Sequence, residues 1–213
     1  MEQQPQQPDD ESKPDSQSEI IAAAATCFMQ SGLEKATMDD IADVLGATKG
    51  RVYHHFRSKN AIYFAVYRQA MQFCFDAIEP IIERRCPPPE KLMEMAATHA
   101  RVMMDTLPYQ RSIRLGVDMY LSGSTTAAER EILAQLIDMR NGYEDRFRAV
   151  LEEGQRDGSL AVTDVALAGR ALIGALNGLV DWYRVRPEQT DADRERIART
   201  LAGTLLNGLR ARP

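Results

Sequence analysis

The stretch from Thr37 to Lys59, TMDDIADVLGATKGRVYHHFRSK, decides the fold of the chain. Its first half carries four apolar residues: Met38, Ile41, Ala42 and Leu45. They are spaced i, i+3, i+4 and i+7, which places them on one face of a helix. Thr37 is a typical N-cap residue, and with Asp40 it fits a variant of the capping box. Gly46 ends the helix, because glycine readily adopts the left-handed conformation that follows a helix C-terminus.

The second half of the stretch predicts another short helix, with Thr48 as its N-cap. Only Val52 and Phe56 point inward from this helix, at i and i+4. Cationic and aromatic side chains stay available on its outer side: Lys49, Arg51, Tyr53 and His55. The small side chain of Ala42 lets the two helices cross closely. This pattern is typical of a helix-turn-helix that presents its second helix to the major groove of DNA.

Residues 19–65, and above all KGRVYHHFRSKNAIYFAV from Lys49 onward, resemble the N-terminal DNA-binding domain of the TetR/AcrR family of bacterial regulators. The resemblance implies a homodimer that binds a palindromic operator and releases it when a small molecule enters the C-terminal domain. It also implies nine DNA-binding residues: Thr37, Thr48, Lys49, Gly50, Arg51, Tyr53, His54, His55 and Lys59. Among them Thr37, Lys49, Tyr53, His55 and Lys59 are expected at phosphates. Arg51 is expected at base edges, where Lys49 is a second candidate.

Charge is distributed unevenly along the 213 residues. The net charge is -5, and residues 1–18 alone contribute -4, so that the remainder is almost neutral. Six residues form a local basic patch free of acidic residues, as expected where phosphates dock: Lys49, Arg51, His54, His55, Arg57 and Lys59. A solvated helix face is the alternative interpretation. Residues 1–17 are rich in Gln, Pro and acidic residues, and we expect them to be disordered.

The rest of the sequence predicts an all-α fold of about nine helices. A three-helix DNA-binding domain over residues 18–64 precedes a ligand-binding and dimerisation domain over residues 65–213. We expect helix 1 to begin after Ser18. One long helix is expected over residues 125–156, with a possible break at Asn141-Gly142, and another over residues 164–185.

The last two predicted helices form a candidate dimer interface. Helix 8 is rich in small residues that allow close approach of two backbones, and helix 9 carries a leucine-rich edge. The candidate interface residues are Gly174, Gly178, Ile197, Leu201 and Leu205. The alternative is that both helices only complete the core of the monomer.

An effector pocket is expected between the helices of the second domain. Its candidate residues are Phe73, Met95, His99, Met103, Met119, Asn177 and Trp182. Methionine suits a pocket that adapts to apolar ligands, but Met95, Met103 and Met119 are also ordinary core residues, and His99 is also a candidate for a hydrogen-bonded core histidine. The segment NGLVDWYRVRP from Asn177 resembles family members that respond to acyl-CoA. Three arginines are candidates for binding its anionic head: Arg101, Arg111 and Arg114.

Other classes of protein find little support in the sequence. It contains no motif of a hydrolase, metalloprotease, P-loop or dinucleotide-binding enzyme, and its three cysteines form no CxxC pair. We predict no cofactor, no metal site, no signal peptide, no apolar stretch of about 18 residues and a cytoplasmic protein. Two alternatives remain: a drug-responsive efflux regulator of the same fold, and a helical enzyme or small-molecule carrier without DNA binding.

Overall fold

The computed structural model describes residues 16–121 and 126–207, with side chains from residue 16 to 114 and from 126 to 207. The described helices are α1 (Ser16–Ser31), α2 (Met38–Leu45), α3 (Lys49–His55), α4 (Lys59–Ile82), α5 (Pro88–Asp105), α6 (Leu107–Leu121), α7 (Ala127–Asp157), α8 (Val165–Asn177), α9 (Leu179–Trp182) and α10 (Asp191–Leu206). The predicted all-α fold is confirmed. α8 and α9 together occupy the place of the predicted eighth helix, so the number of helices also agrees with the prediction of about nine.

The first three helices and the start of α4 enclose a small core. Ile20, Phe28, Ile41 and Val52 are completely buried there. α1 begins at Ser16, so the prediction that it starts after Ser18 was wrong, because tertiary hydrogen bonds to Ser16 hold the additional turn. The expected disorder of residues 1–17 was wrong for Ser16 and Gln17, which belong to α1, and residues 1–15 lie outside the described residues.

The long helix α4 connects the two domains. Its 24 residues span about 36 Å at 1.5 Å per residue. Ser58 caps its N-terminus by accepting a hydrogen bond from the Ala61 N–H at 3.1 Å. The helix continues through Pro80 for a last half turn to Ile82. Its buried side chains contribute to the cores of both domains, which makes α4 a continuous mechanical link between them.

The second domain is a bundle in which α5 is the central helix, packed against α4, α7, α8 and α10. α7 runs unbroken for 31 residues, so the possible break at Asn141-Gly142 does not occur. A side chain at Gly142 would meet no atom within 4 Å, so this glycine lies on an open face of α7. The αL glycine that ends α7 is Gly158, as predicted, with φ of 79°.

The predicted helix over residues 164–185 is divided at Gly178 into α8 and the short α9. Glycine has low helix propensity, which favours a break at Gly178, and it accommodates the Ala175 carbonyl oxygen, which would lie 3.1 Å from a Cβ at this position. After α9 the chain is extended at Tyr183. Arg111 of α6 holds this part of the chain by donating hydrogen bonds to the carbonyl oxygens of Val180 and Tyr183.

One window of the described residues has the length and composition of a membrane span, contrary to our expectation. It covers 18 residues, Val165–Trp182, with mean hydropathy 1.2, and one third of it is buried. The window includes Arg170 and Asp181 and is divided at Gly178. Much of its apolar surface lies on one exposed face of α8 and α9, where another protein surface can cover it.

Candidate nucleic-acid interface and effector region

The turn between α2 and α3 forms as the sequence predicts. The Thr37 hydroxyl accepts a hydrogen bond from the Asp40 N–H at 3.1 Å, and the Asp40 carboxylate accepts one from the Thr37 N–H at 2.9 Å. Gly46 adopts the left-handed conformation, with φ of 66°. Both halves of the capping box are therefore present, and the acidic first turn of α2 also opposes the positive end of the helix dipole.

α3 presents a polar face to solvent because its apolar side chains are buried under it. Val52 is 0% exposed and Phe56 is 6% exposed. Seven of the nine predicted DNA-binding residues are exposed: Thr37, Thr48, Lys49, Gly50, Arg51, Tyr53 and His54. The other two, His55 and Lys59, are half-buried. The predicted DNA-binding side chains of α3 thus lie on its solvent-facing side, as a recognition helix requires.

Two of the recognition-helix cations are paired with carboxylates from other helices. Lys49 lies 2.8 Å from the Asp39 carboxylate and 5.7 Å from the centre of the Tyr53 ring. The hydrogen bond from Lys49 to Asp39 raises the pKa of Lys49, so the ammonium group stays charged at neutral pH. The second cation, Arg51, pairs with Glu19 of α1.

These pairs correct the interpretation of the patch as free of acidic residues. That description holds along the sequence between Gly46 and Phe75, but folding brings Asp39 and Glu19 onto the recognition face. Sequence reasoning missed both, since no local spacing links Glu19 to Arg51. Exposed ion pairs of this kind contribute about 0–1 kcal/mol, so phosphates can replace the carboxylates at little cost.

Two other predicted phosphate contacts already have partners within the chain. The Lys59 ammonium donates to the Glu34 carbonyl oxygen at 3.0 Å, and thereby ties the start of α4 to the loop after α1. The Thr37 hydroxyl donates to the Asp40 carboxylate at 2.8 Å. In contrast, the Thr48 side chain makes no capping hydrogen bond to α3. Thr48 thus keeps its hydroxyl available, whereas Thr37 has its backbone and hydroxyl committed to α2.

In the second domain, His99 lies at the centre of a buried polar cluster. The side chain is 2% exposed. Its Nδ1 lies 2.8 Å from the Tyr143 hydroxyl and its Nε2 lies 3.0 Å from Asn177 Oδ1. Since the Asn177 oxygen can only accept, Nε2 carries the hydrogen and Nδ1 accepts from Tyr143. Burial lowers the pKa of His99 to about 4, so the ring is neutral.

Aromatic side chains surround this cluster. Tyr143 packs edge-to-face against Phe75 at 5.2 Å, and Phe147 lies 5.6 Å from Tyr143. Sequence reasoning missed Tyr143 and Phe147, although their i, i+4 spacing on α7 was a signal of a shared face. The cluster joins α4, α5, α7 and the end of α8.

The predicted pocket residues do not all meet. Met95 and Met103 are buried one turn on either side of His99, at 0% and 3% exposure. Phe73 packs instead against Tyr109, with ring centres 5.1 Å apart. Trp182 is 55% exposed, and the side chain of Met119 lies outside the described residues. The structure therefore unites Met95, His99, Met103 and Asn177, and places Phe73 and Trp182 apart from them.

The three candidate arginines are all engaged by other groups of the chain. Arg101 pairs with Asp105 at 3.0 Å and with Asp191 at 2.5 Å. Arg111 donates to the carbonyl oxygens of Val180 and Tyr183, and Arg114 pairs with Asp181.

A separate surface cleft of about 740 Å³ lies beside the C-terminal half of α7, lined by Glu152, Gln155, Arg156, Thr163, Asp164 and Val165.

A second link between the domains runs through α6, which sequence reasoning did not identify. The Ser112 hydroxyl donates to the Ala25 carbonyl oxygen of α1 at 3.3 Å. The Tyr63 hydroxyl of α4 donates to the Ile113 carbonyl oxygen at 3.3 Å. Arg111 approaches the Met29 sulfur at 3.7 Å. α6 is therefore hydrogen-bonded to both α1 and α4.

Reactive or metal-binding chemistry has no assembled site in the described residues. No group of three or more His, Cys, Asp or Glu side chains there could hold a metal ion. The cysteines are free thiols, of which Cys27 and Cys74 are buried and Cys86 is half-buried. Burial raises the pKa of Cys74 to about 12, so that it remains a neutral thiol.

Comparison with known proteins agrees with this geometry. Residues 20–66 match the family model of bacterial regulatory proteins of the tetR family, and residues 85–209 match that of the tetracyclin repressor-like C-terminal domain. The HTH-type transcriptional repressor KstR2 of Mycolicibacterium smegmatis is 30% identical over 187 residues, which are 83% of this chain and 84% of the relative.

Solved structures share the fold. The TetR family regulator PfmR from Thermus thermophilus has a TM-score of 0.75 at 30% identity, over 90% of this chain and 99% of that one. AibR in complex with isovaleryl coenzyme A and operator DNA has a TM-score of 0.72 at 18% identity. The match covers 89% of this chain and 97% of the AibR chain. The chain thus belongs to the TetR family of bacterial regulators and is a DNA-binding transcriptional repressor, not an enzyme.

Proposed function

We propose that this repressor acts as a two-fold homodimer that binds a palindromic operator through α3 and releases it when an acyl-CoA-like effector enters the second domain. The observation that carries the proposal is the continuity of α4, which has Lys59 at the DNA-binding end and contributes Phe75 to the aromatic cluster around His99. One rigid element thereby reaches both the DNA-binding face and the buried cluster. We keep the domain boundaries at residues 18–64 and 65–213, and infer a cytoplasmic location from its DNA partner.

The proposed dimer interface is supported by the exposed apolar face of α8. Leu167 is 65% exposed and Trp182 is 55% exposed. A side chain added at Gly174 would meet no atom within 4 Å, whereas one at Gly169 would lie 3.0 Å from Arg148 Cγ. Packing within the chain therefore accounts for Gly169 and leaves Gly174 for contact with a second copy.

α10 supplies the other half of the proposed interface. Its side chains Ala198, Ala202 and Leu206 face inward and are buried. Ile197, Leu201 and Leu205 lie at the edge of the core and are only half-buried. Two copies of α8 and α10 would form a four-helix interface, and two recognition helices about 34 Å apart would match successive major grooves.

Sedimentation equilibrium of a matched pair of variants tests the dimer. Gly174→Leu places a bulky side chain on the proposed interface, and Gly142→Leu places the same side chain on the open face of α7. We expect Gly174→Leu to be monomeric at micromolar concentration and to bind operator poorly. Gly142→Leu should remain dimeric. A monomeric wild type, or a dimeric Gly174→Leu, would contradict the interface.

The effector class is proposed from two observations. Met95, Met103 and the aromatic rings around His99 supply an apolar region that suits an acyl chain. The structural relative AibR is described with isovaleryl coenzyme A. An anionic coenzyme A head would bind Arg101, Arg111 or Arg114 in place of their present carboxylate and carbonyl partners. Because Arg111 and Arg114 lie on α6, this exchange of partners is the step through which binding would move α6.

Selection of genomic fragments by the wild-type protein tests the function as a whole. We expect the enriched fragments to share a palindrome, and we expect acyl-CoA thioesters to release the protein from them. Genes next to the enriched sites would identify the effector class independently. Fragments without any shared sequence would contradict the operator. Release by hydrophobic drugs but not by thioesters would favour the efflux regulator.

A further inference from the structure

Arg51, the side chain expected to read bases, is held by the first turn of α1. Its Nε and Nη2 both donate to the Ser16 hydroxyl oxygen, at 3.1 and 3.0 Å. Nη2 also donates to the Glu19 carboxylate, which forms an ion pair with the guanidinium. Ser16 and Glu19 lie three residues apart on the same helix, so one turn of α1 supplies both acceptors.

These bonds use the donors that bidentate base recognition needs. A guanidinium has five N–H groups, one on Nε and two on each Nη nitrogen. Two parallel N–H groups are presented along either of two edges, Nε with Nη2 or Nη1 with Nη2, because Cδ occupies the third edge. Ser16 accepts from both donors of the first edge, and Glu19 takes the remaining N–H of Nη2. Since Nη2 belongs to both edges, neither edge is free for a base.

Guanine requires one of these edges. In the major groove it presents the acceptors O6 and N7, which arginine binds with two parallel N–H groups. Arg51 therefore has to leave Ser16 and Glu19 before it can read guanine in this way. The contact is weak enough to be left, because the Arg51 and Glu19 side chains are 40% and 37% exposed and water stabilises both charges after separation.

We propose that Ser16 and Glu19 form an autoinhibitory contact on Arg51, and that Glu19 is thereby a specificity-determining residue for operator binding. A duplex with guanine at the position that Arg51 reads must break the contact before the bidentate pair forms. A duplex with another base pair there leaves the contact in place. Glu19 thus lowers the affinity for the guanine-containing operator and lessens the preference for guanine. The proposal rests on the proposed role of Arg51 in base readout.

This mechanism predicts which duplexes respond to the loss of Glu19. An exposed ion pair corresponds to a factor of up to about five in an equilibrium constant. Removal of Glu19 should therefore raise the affinity for the guanine-containing duplex about two- to fivefold. The gain needs both Arg51 and the guanine. Weaker repulsion of phosphates, in contrast, would raise the affinity for every duplex, whichever carboxylate of the domain is removed.

A double-mutant cycle with a matched control tests the contact. Glu19→Ala removes the acceptor on Arg51, and Glu34→Ala removes an exposed carboxylate elsewhere in the same domain. Each is measured alone and combined with Arg51→Ala. Fluorescence anisotropy is recorded with a genomic duplex that the wild type enriches. A second duplex is altered only at the base pair where Arg51→Ala relaxes the preference.

We expect Glu19→Ala to bind the enriched duplex about two- to fivefold more tightly than Glu34→Ala, and the altered duplex equally tightly. The difference should vanish in the Arg51→Ala background. Equal affinities of the two variants for the enriched duplex, or a gain that survives Arg51→Ala, would overturn the proposal. A weaker preference for guanine in Glu19→Ala would show that Glu19 positions Arg51 for readout, and would overturn it as well.

Failure of the proposed function gives a different result. If Arg51→Ala leaves discrimination unchanged at every base pair, Arg51 does not read bases, and the proposal falls together with that role. A wild type with no preference for the enriched duplex over a mixed-sequence duplex would refute operator recognition itself.

The contact is also observable in the protein without DNA. The Nε proton of Arg51, assigned by the absence of its NMR signal from Arg51→Ala, should exchange with water more slowly in the wild type than in Ser16→Ala. Ser16→Ala also frees the edge formed by Nε and Nη2, so it should bind the enriched duplex more tightly, as Glu19→Ala does. Equal exchange rates in the wild type and Ser16→Ala would show that the contact does not form, and would overturn the proposal.

Discussion

The recognition helix and the centre of the second domain hold polar side chains in opposite ways. On α3, Lys49 and Arg51 are exposed and paired with carboxylates that water also reaches. Around α5, His99 is buried and both of its ring nitrogens are hydrogen-bonded. Exposed pairs exchange at small cost, whereas a buried network loses free energy when one partner is removed. The molecule thus combines a replaceable surface, whose ion pairs exchange at small cost, with a buried centre whose hydrogen bonds are costly to break.

The largest expected contrast is in the free energy of unfolding, between variants of the buried Tyr143 and the exposed Tyr53. Tyr143→Ala should lower the free energy of unfolding by about 3–5 kcal/mol, because it leaves a cavity and removes the partner of His99. Tyr143→Phe should cost about 1–3 kcal/mol through the lost hydrogen bond alone. Tyr53→Ala, on the exposed face, should change stability by less than about 0.5 kcal/mol. Urea denaturation at one fixed protein concentration measures all three; similar losses for Tyr53→Ala and Tyr143→Ala would contradict the contrast.

The buried histidine should also make stability depend on pH. Burial holds the pKa of His99 at about 4, below the value of about 6.5 expected in the unfolded chain. Between these values the unfolded chain takes up a proton that the native protein does not. Stability should therefore fall as pH decreases from about 6.5 to about 4, with His99 contributing about 3 kcal/mol.

His99→Gln isolates this contribution. The variant lacks the titrating ring, so its stability should fall less steeply with acid over the same pH window. Carboxylates contribute equally to both proteins and cancel in the difference. Parallel stability curves for wild type and variant, measured by urea denaturation between about pH 4 and about pH 7, would disprove the assignment.

A substitution on the replaceable surface of α3 should change DNA binding and leave the free energy of unfolding almost unchanged. Arg51→Ala should relax the preference at one base position by about 1–3 kcal/mol, because a bidentate base contact is lost. Arg68→Ala, an exposed arginine of α4, serves as the control. Binding to operator duplexes altered one base pair at a time measures the preference. Equal discrimination by wild type and Arg51→Ala would exclude Arg51 from base readout.

The smallest expected effect concerns Lys59, which is a predicted phosphate contact and also donates a hydrogen bond within the chain. Lys59→Ala should reduce the slope of log affinity against log salt by about one unit, as for one lost phosphate contact. Lys59→Gln retains a donor for the Glu34 carbonyl oxygen but loses the charge. Both variants should show the same slope, and only Lys59→Ala should lose stability. An unchanged slope in Lys59→Gln would leave Lys59 with a purely structural role.

Local rules were sufficient for the recognition helix and insufficient for the buried cluster. The capping box at Thr37 and the left-handed Gly46 follow from neighbours within four residues, and both were predicted. His99, Tyr143 and Asn177 meet from three helices, and no spacing along the sequence shows that α5 and α7 face each other. The division at Gly178 was not predicted either, because Gly174 lies within α8 whereas Gly178 ends it, and composition alone does not distinguish the two glycines.

Coupling between the two regions is the central claim, and calorimetry tests it most directly. Isovaleryl-CoA and a panel of other acyl-CoA thioesters are titrated into the protein with and without saturating operator duplex. Operator should lower thioester affinity about 5- to 150-fold, and the thioester should lower operator affinity by the same factor. Equal thioester affinities in the two titrations would contradict the coupling, and no binding by any thioester would contradict the proposed effector class.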